Sequence, residues 1–153
     1  MIRFDKYKPL APAIVRIGLG LVFLWFGLTQ IFNAKSFLGY LPSFAKQIPL
    51  APLTIILLNG IFDTLIGLFY TLGILTRLTA FVAVVHLCIV VIGLGYNDIA
   101  VRDLGLMIMS LAVMINGPDH WTFDTHFMGR VKNKVKTKSG FLGDALGIKI
   151  KLK

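Results

Sequence analysis

The chain has 153 residues, room for one domain, and it is 56% hydrophobic and only 15% charged, with a mean hydropathy of +0.79. An ordinary soluble domain carries about 25% charged residues, and a small one buries too little surface to hide this much apolar material; disorder is excluded by the same numbers. Sixteen Lys and Arg face seven acids, all aspartate, for a net charge of +9, but no nucleic-acid-binding motif accompanies that charge, so the expected solvent is lipid and nucleic acid is not an expected partner.

Crossing the hydrocarbon core takes about 20 apolar residues per helix. Residues 1–10 form a short leading segment. The first span is expected from about Ala11 to Phe32, broken only by Arg16. A polar connection with Pro42 and Pro49 follows. The second span is expected from about Leu50 to Leu72, with Asn59 and Asp63 inside it, and Gly73 closes it. The third runs from about Leu78 to Gly95, with His86 near its middle and Thr76 placed to cap it. The fourth runs from about Ile99 to Asn116, opens with Arg102-Asp103, takes Asp98 as its N-cap and stops at Gly117-Pro118. The first apolar run is longer than a signal core and lacks a small-x-small exit site, so it reads as a retained span. The second and third links are short, which makes neighbouring helices antiparallel.

The expected fold is therefore all-α. It is a polytopic membrane protein with a four-helix antiparallel bundle over residues 11–128 and a basic tail over 129–153. Arg3, Lys6, Lys8, Arg77 and the tail fall on one side of the membrane; Lys35, Lys46 and Arg102 fall on the other. That imbalance predicts that both termini are cytoplasmic, in the plasma membrane. The tail holds Arg130, Lys132, Lys134, Lys136 and Lys138, then Lys149, Lys151 and Lys153, and reads as an anionic-lipid or partner contact. Residues 148–153 alternate apolar and basic, consistent with an edge strand, a lipid-surface segment or a disordered tail. Cys88 is the single cysteine, so no intramolecular disulfide or paired-thiol chemistry is available.

Ionisable groups inside a span are costly and face protein or water, which makes them the first candidates for function. On the first span Arg16, Phe23 and Gln30 share a face, with Gly20 and Gly27 beside it. On the second, Asn59, Asp63, Gly67 and Tyr70 form one stripe; on the third, Thr79, His86 and Gly93 align; on the fourth, Asp103, Met107, Ser110 and Met114 do. The candidate site or buried polar network is Arg16, Gln30, Asn59, Asp63, His86, Arg102 and Asp103. Arg16 and Asp63 are expected to pair across the first two helices, either as a packing device or as a site that binds an anionic or quinone-like head or relays a proton. Gln30 is within reach of Arg102 or Asp103, and His86 suits either packing or a quinone carbonyl. The segment from Gly117 to His126 holds two acids and two histidines but matches no metal signature; it reads as a wet interfacial loop anchored by Trp121. No metal site and no covalently bound cofactor are expected.

Three blocks in order resemble the DoxX family of small four-span membrane proteins. The first is Arg16 followed by a glycine-studded run to Gly27. The second is Asn59-Gly-Ile-Phe-Asp63 continuing to Gly73-Ile-Leu-Thr-Arg77. The third is Val101-Arg102-Asp103-Leu104 ending in Gly117-Pro-Asp-His-Trp121-Thr-Phe-Asp124. The resemblance covers about residues 10 to 125. The family typically carries glutamate where this chain has Asp63, which shortens the reach toward Arg16. The family is named for a subunit of an archaeal thiosulfate:quinone oxidoreductase. The resemblance therefore implies a quinone-associated subunit or accessory of a membrane oxidoreductase complex, with a membrane or cytoplasmic redox protein as partner and a homo-oligomer as an option. Catalysis by this chain alone is not expected. The alternatives are a small-molecule or lipid-binding protein or transporter, and an assembly factor without chemistry.

Overall fold

The computed structural model describes residues 7–127. Arg3, Lys6 and the whole basic tail, including the alternating residues 148–153, lie outside the described residues. Within them the chain is helical and has no strand. The four long helices are α1 (Leu10–Phe32), α2 (Pro52–Leu72), α3 (Thr76–Leu94) and α4 (Asp98–Asn116).

Most of the boundaries have a local cause, and one has a distant one. Pro52 opens α2 at a position where its missing N–H costs nothing. Gly73 closes α2 in the left-handed region at φ 67°, where a side chain would be strained. The α3 N-terminus differs from expectation: Thr76 is its first helical residue, and the cap comes from the side chain of Asp124, far along the chain. At α4 the cap is Asn97, whose side chain accepts from Ala100 N–H at 2.9 Å, and not Asp98, which sits in the first turn. The α1–α2 connection folds into two short 3-10 helices, Ala34–Tyr40 and Ser43–Gln47.

The helices alternate in direction. α1 lies closely along α2 and α3 along α4, while the contacts between these two pairs are lighter. Glycine makes the α1–α2 approach possible: a Cβ at Gly27 would lie 2.5 Å from Thr64 N, and one at Gly67 would lie 2.6 Å from Leu24 N. Backbone-to-backbone packing of this kind lets membrane helices associate without a hydrophobic driving force. The core joins Leu19, Phe23, Ile66, Tyr70, Ala80, Ala83, Leu87 and Val113. The expected stripes on α1, α2 and α4 face this interior: Arg16, Gln30, Asp63, Asp103 and Ser110 are all buried, with Met107 and Met114 packed against the core. The outer surface is the reverse of a soluble protein's. Trp25, Phe32, Ile92 and Ile115 are each at least 70% exposed.

Three helices, α1, α2 and α3, are long and apolar enough to cross a membrane. With 23, 21 and 19 residues they span about 35, 31 and 28 Å at 1.5 Å per residue, against a hydrocarbon core of about 30 Å. The chain is a multi-pass membrane protein whose apolar helix faces contact lipid.

Candidate functional site

Polar groups collect in two places, one toward each end of the bundle. The first lies where α1 begins, α2 ends and α3 begins. Arg16 is 1% exposed. Its Nε donates to Asp119 Oδ2 at 2.7 Å and its Nη2 to Asp119 Oδ1 at 3.4 Å. Nη1 donates to the Tyr70 carbonyl and, at 3.0 Å, to that of Thr71, and Nη2 approaches the Trp121 carbonyl at 3.5 Å. The α2 C-terminus leaves carbonyls without helical partners, and the guanidinium fork fills them.

Asp119 is 7% exposed and also accepts from Trp121 N–H at 2.8 Å. Burial, the largest single influence, pushes its carboxyl up. The Arg16 and Trp121 hydrogen bonds, with the charges of Arg16 and His120, outweigh it and hold the carboxyl below its ordinary value. Five residues on, Asp124 accepts from Leu75 N–H at 2.8 Å, from Thr76 N–H at 2.7 Å and from the Thr76 hydroxyl at 2.8 Å. It steadies a turn in which Leu75 holds a left-handed φ of 47°. The segment after α4 is therefore a clamp folded onto the bundle end on one side, with Asp119 and Thr122 buried, while His120, Trp121 and Phe123 stay exposed as an interfacial loop would.

The expected Arg16–Asp63 pair does not form. Asp63 lies seven residues before Tyr70 on α2, about 10 Å deeper along the axis at 1.5 Å per residue. Arg16 reaches toward the helix end, where it meets Asp119 and the carbonyls of Tyr70 and Thr71.

Asp63 belongs to the second centre. Its Oδ2 accepts from Gln30 Nε2 at 3.0 Å and from Asn59 Nδ2 at 2.9 Å. Asn59 Nδ2 also donates to Gln30 Oε1 at 2.8 Å. Gln30 is thus committed to α2, and not to Arg102 or Asp103 as expected. His86 Nε2 stands 3.1 Å from Asp63 Oδ1, close enough for an ion pair when protonated. The His86 ring also meets Phe62 edge-on at 5.0 Å between centroids.

Across the bundle Arg102 folds back on its neighbour. Its Nε and Nη2 lie 2.8 and 2.7 Å from Asp103 Oδ1. Its guanidinium carbon sits 4.1 Å over the Phe26 ring of α1. As expected of adjacent residues, one faces inward: Asp103 is 4% exposed, while the Arg102 side chain is 41% exposed.

Gln30, Asn59, Asp63, His86, Arg102 and Asp103 all line one cavity of about 690 Å³. Every helix contributes to it, in the gap left where the two helix pairs touch lightly. The rest of its wall is apolar, with Phe23, Phe26, Ile56, Leu87 and Leu106, and the 3-10 segment lays Tyr40, Leu41, Phe44 and Ile48 along it. A hydrophobic cavity with a few convergent polar groups is the ordinary form of a small-molecule site. Of the seven expected residues, Arg16 alone is elsewhere.

A family model described as DoxX matches residues 11–95, more than half of the sequence. The chain belongs to the DoxX family. No curated protein and no solved structure matches it. The DoxX match takes in Arg16, Gln30, Asn59, Asp63 and His86 and stops just past α3. Asp103, Asp119 and Asp124, which complete both polar centres, lie beyond it. Sequence reasoning missed Asp119 and Asp124 as structural partners. The available signal was the Gly117-Pro118-Asp119 turn, which directs the chain back toward the bundle after α4.

Proposed function

We propose that this DoxX protein spans the plasma membrane four times with both termini cytoplasmic, and that its cavity holds a quinone as the membrane subunit or accessory of an oxidoreductase complex. α4 supports the four-span reading by matching α3 in length, lying along it and turning its inward charge, Asp103, away from lipid. The basic tail then meets anionic headgroups or a redox partner on the cytoplasmic side.

The observation that carries the quinone reading is the cavity itself. It joins apolar walls to a short polar head containing two carboxylates, an imidazole, two carboxamides and a guanidinium. Phe23, Phe26 and Leu87 suit a ring and the start of a prenyl tail, and the N–H groups of His86, Gln30 and Arg102 suit the ring oxygens, with Asp63 holding His86 and Gln30 in place. A quinone supplies two-electron, two-proton chemistry when bound; this chain's residues bind and orient it. Arg102 and Gln30 keep N–H groups that no hydrogen bond among the described residues takes up, so the head has capacity for a ligand's oxygens. The clamp at the Arg16 end closes the bundle there, which supports a binding pocket over a through-path.

The test is quinone retention. Protein extracted in mild detergent from its own membranes is analysed by native mass spectrometry and solvent extraction. Wild type is expected to carry quinone and Asp63→Asn to lose it at equal expression. Unchanged retention in the variant removes the site assignment. A wild-type protein carrying only phospholipid turns the reading toward lipid binding or transport.

A further inference from the structure

At the clamp end of the bundle, both aspartates of the described residues are committed and an arginine is left over. Asp119 accepts from Arg16 and from the Trp121 N–H. Asp124 accepts from the N–H groups of Leu75 and Thr76 and from the Thr76 hydroxyl. Arg77, the next residue on α3, is exposed and makes no hydrogen bond or ion pair among the described residues. It nevertheless has a seat. Its guanidinium packs against Gly117, where a Cβ would lie 2.7 Å from Nε and 3.0 Å from Nη2; a side chain there would push it aside. The clamp that provides this seat also carries Trp121, Phe123 and Phe127, which are 51%, 59% and 60% exposed, with the two phenyl rings stacked. In a membrane protein, exposed aromatic rings at a helix end settle at the headgroup level. That depth is also the depth of the lipid phosphates, and Arg77 meets it with all its N–H donors open.

We infer that Arg77 and the clamp form a site for the phosphate of an acidic phospholipid, in the leaflet on the side of residues 7 and 127. A guanidinium fork holds two phosphate oxygens in parallel, and the exposed rings of the clamp lie against the start of the acyl chains. The charge balance selects the class of lipid. A zwitterionic headgroup brings an ammonium with its phosphate, and Asp119 and Asp124 are both committed, so that ammonium meets no open carboxylate among the described residues. An acidic headgroup of the phosphatidylglycerol kind brings the phosphate without the ammonium. Arg130, Lys132 and Lys134 follow soon after Phe127 in the sequence and add positive charge next to this end of the chain. The site is separate from the cavity and stands whether or not the cavity holds a quinone.

The experiment compares two lipids with the same acyl chains. The full chain, delipidated in detergent, is titrated with dioleoyl phosphatidylglycerol or dioleoyl phosphatidylcholine, and bound lipids are counted by native mass spectrometry. The first phosphatidylglycerol is expected to bind about tenfold or more tightly than the first phosphatidylcholine, the scale of one hydrogen bond between charged groups. Arg77→Gln is expected to bring that ratio close to unity, and Arg77→Lys, which keeps the charge, to retain part of it. Changing Lys149, Lys151 and Lys153 together to Gln is expected to leave the first lipid in place, and this variant decides even if the Arg77 variants do not fold. Equal affinities for the two lipids overturn the proposal. A preference that survives Arg77→Gln or disappears with the three lysines assigns it to the tail and overturns the site. Displacement of the lipid by an equal concentration of glycerol phosphate makes the ligand a free phosphate and overturns the lipid assignment.

Discussion

The bundle buries an aspartate beside a basic side chain at each of two levels, and it uses them in opposite ways. Asp119 meets Arg16 and a backbone N–H, and the remaining Arg16 donors are absorbed by helix-end carbonyls. Asp63 has one oxygen in hydrogen bonds and the other met by His86 alone, at 3.1 Å, and it faces a cavity. A completed network holds elements in register, whereas an incomplete one at a cavity wall retains capacity for a ligand. Burial of charge alone therefore does not mark a site; what distinguishes the two centres is whether their hydrogen bonds are finished within the protein.

The contrast can be broken most strongly at the finished end. Arg16→Met leaves Asp119 buried without its cation and is expected to cost about 3–5 kcal/mol, read as loss of thermal stability in detergent. Quinone retention, measured on the fraction that still folds, is expected to persist. Asp119 also makes this end sensitive to acid. Its folded carboxyl titrates below the unfolded value, so its contribution is complete at neutral pH and disappears as pH falls from the ordinary carboxylate range through the lowered value. Melting curves from pH 7 to pH 3 are expected to lose this part of their slope in Asp119→Asn.

Smaller changes sharpen the comparison. Gly27→Ala forces a Cβ against Thr64 N and Gly60 O and is expected to cost about 1–3 kcal/mol by overpacking. Because Gly27 sits one turn from Gln30, this variant is expected to weaken quinone retention as well as stability. Asp124→Ala removes the cap of α3 and is expected to cost about 0.5–2 kcal/mol with retention unchanged. The smallest effect is expected at the lipid face. Trp25 is 71% exposed, and Trp25→Leu is expected to shift stability by no more than about 0.5 kcal/mol. A large loss there would point to a protein partner covering that face.

Much of the fold was legible because it rests on local rules. Apolar runs of helical length, Gly73 and Gly117-Pro118 at helix ends, and stripes of polar and small residues at helical spacing placed α1 to α4 within a few residues and turned the correct faces inward. The site was legible as a set: six of the seven expected residues share one cavity. Their pairing was less so. Arg16 and Asp63 lie on facing stripes, and periodicity cannot tell which partner, at which depth, an arginine's long side chain will choose.

The sequence by itself determined that this is a helical membrane protein of the DoxX family, since hydrophobicity, length and local motifs are properties of contiguous residues. The tertiary structure decided which charges are spent and which are spare. Arg16 meets Asp119 103 residues away, Asp124 caps a helix 48 residues before it, and the α1–α2 connection lies along the cavity. Each of these depends on where helix ends meet in space. An ionisable group in a low-dielectric interior takes whichever partner the packed geometry brings within hydrogen-bond reach.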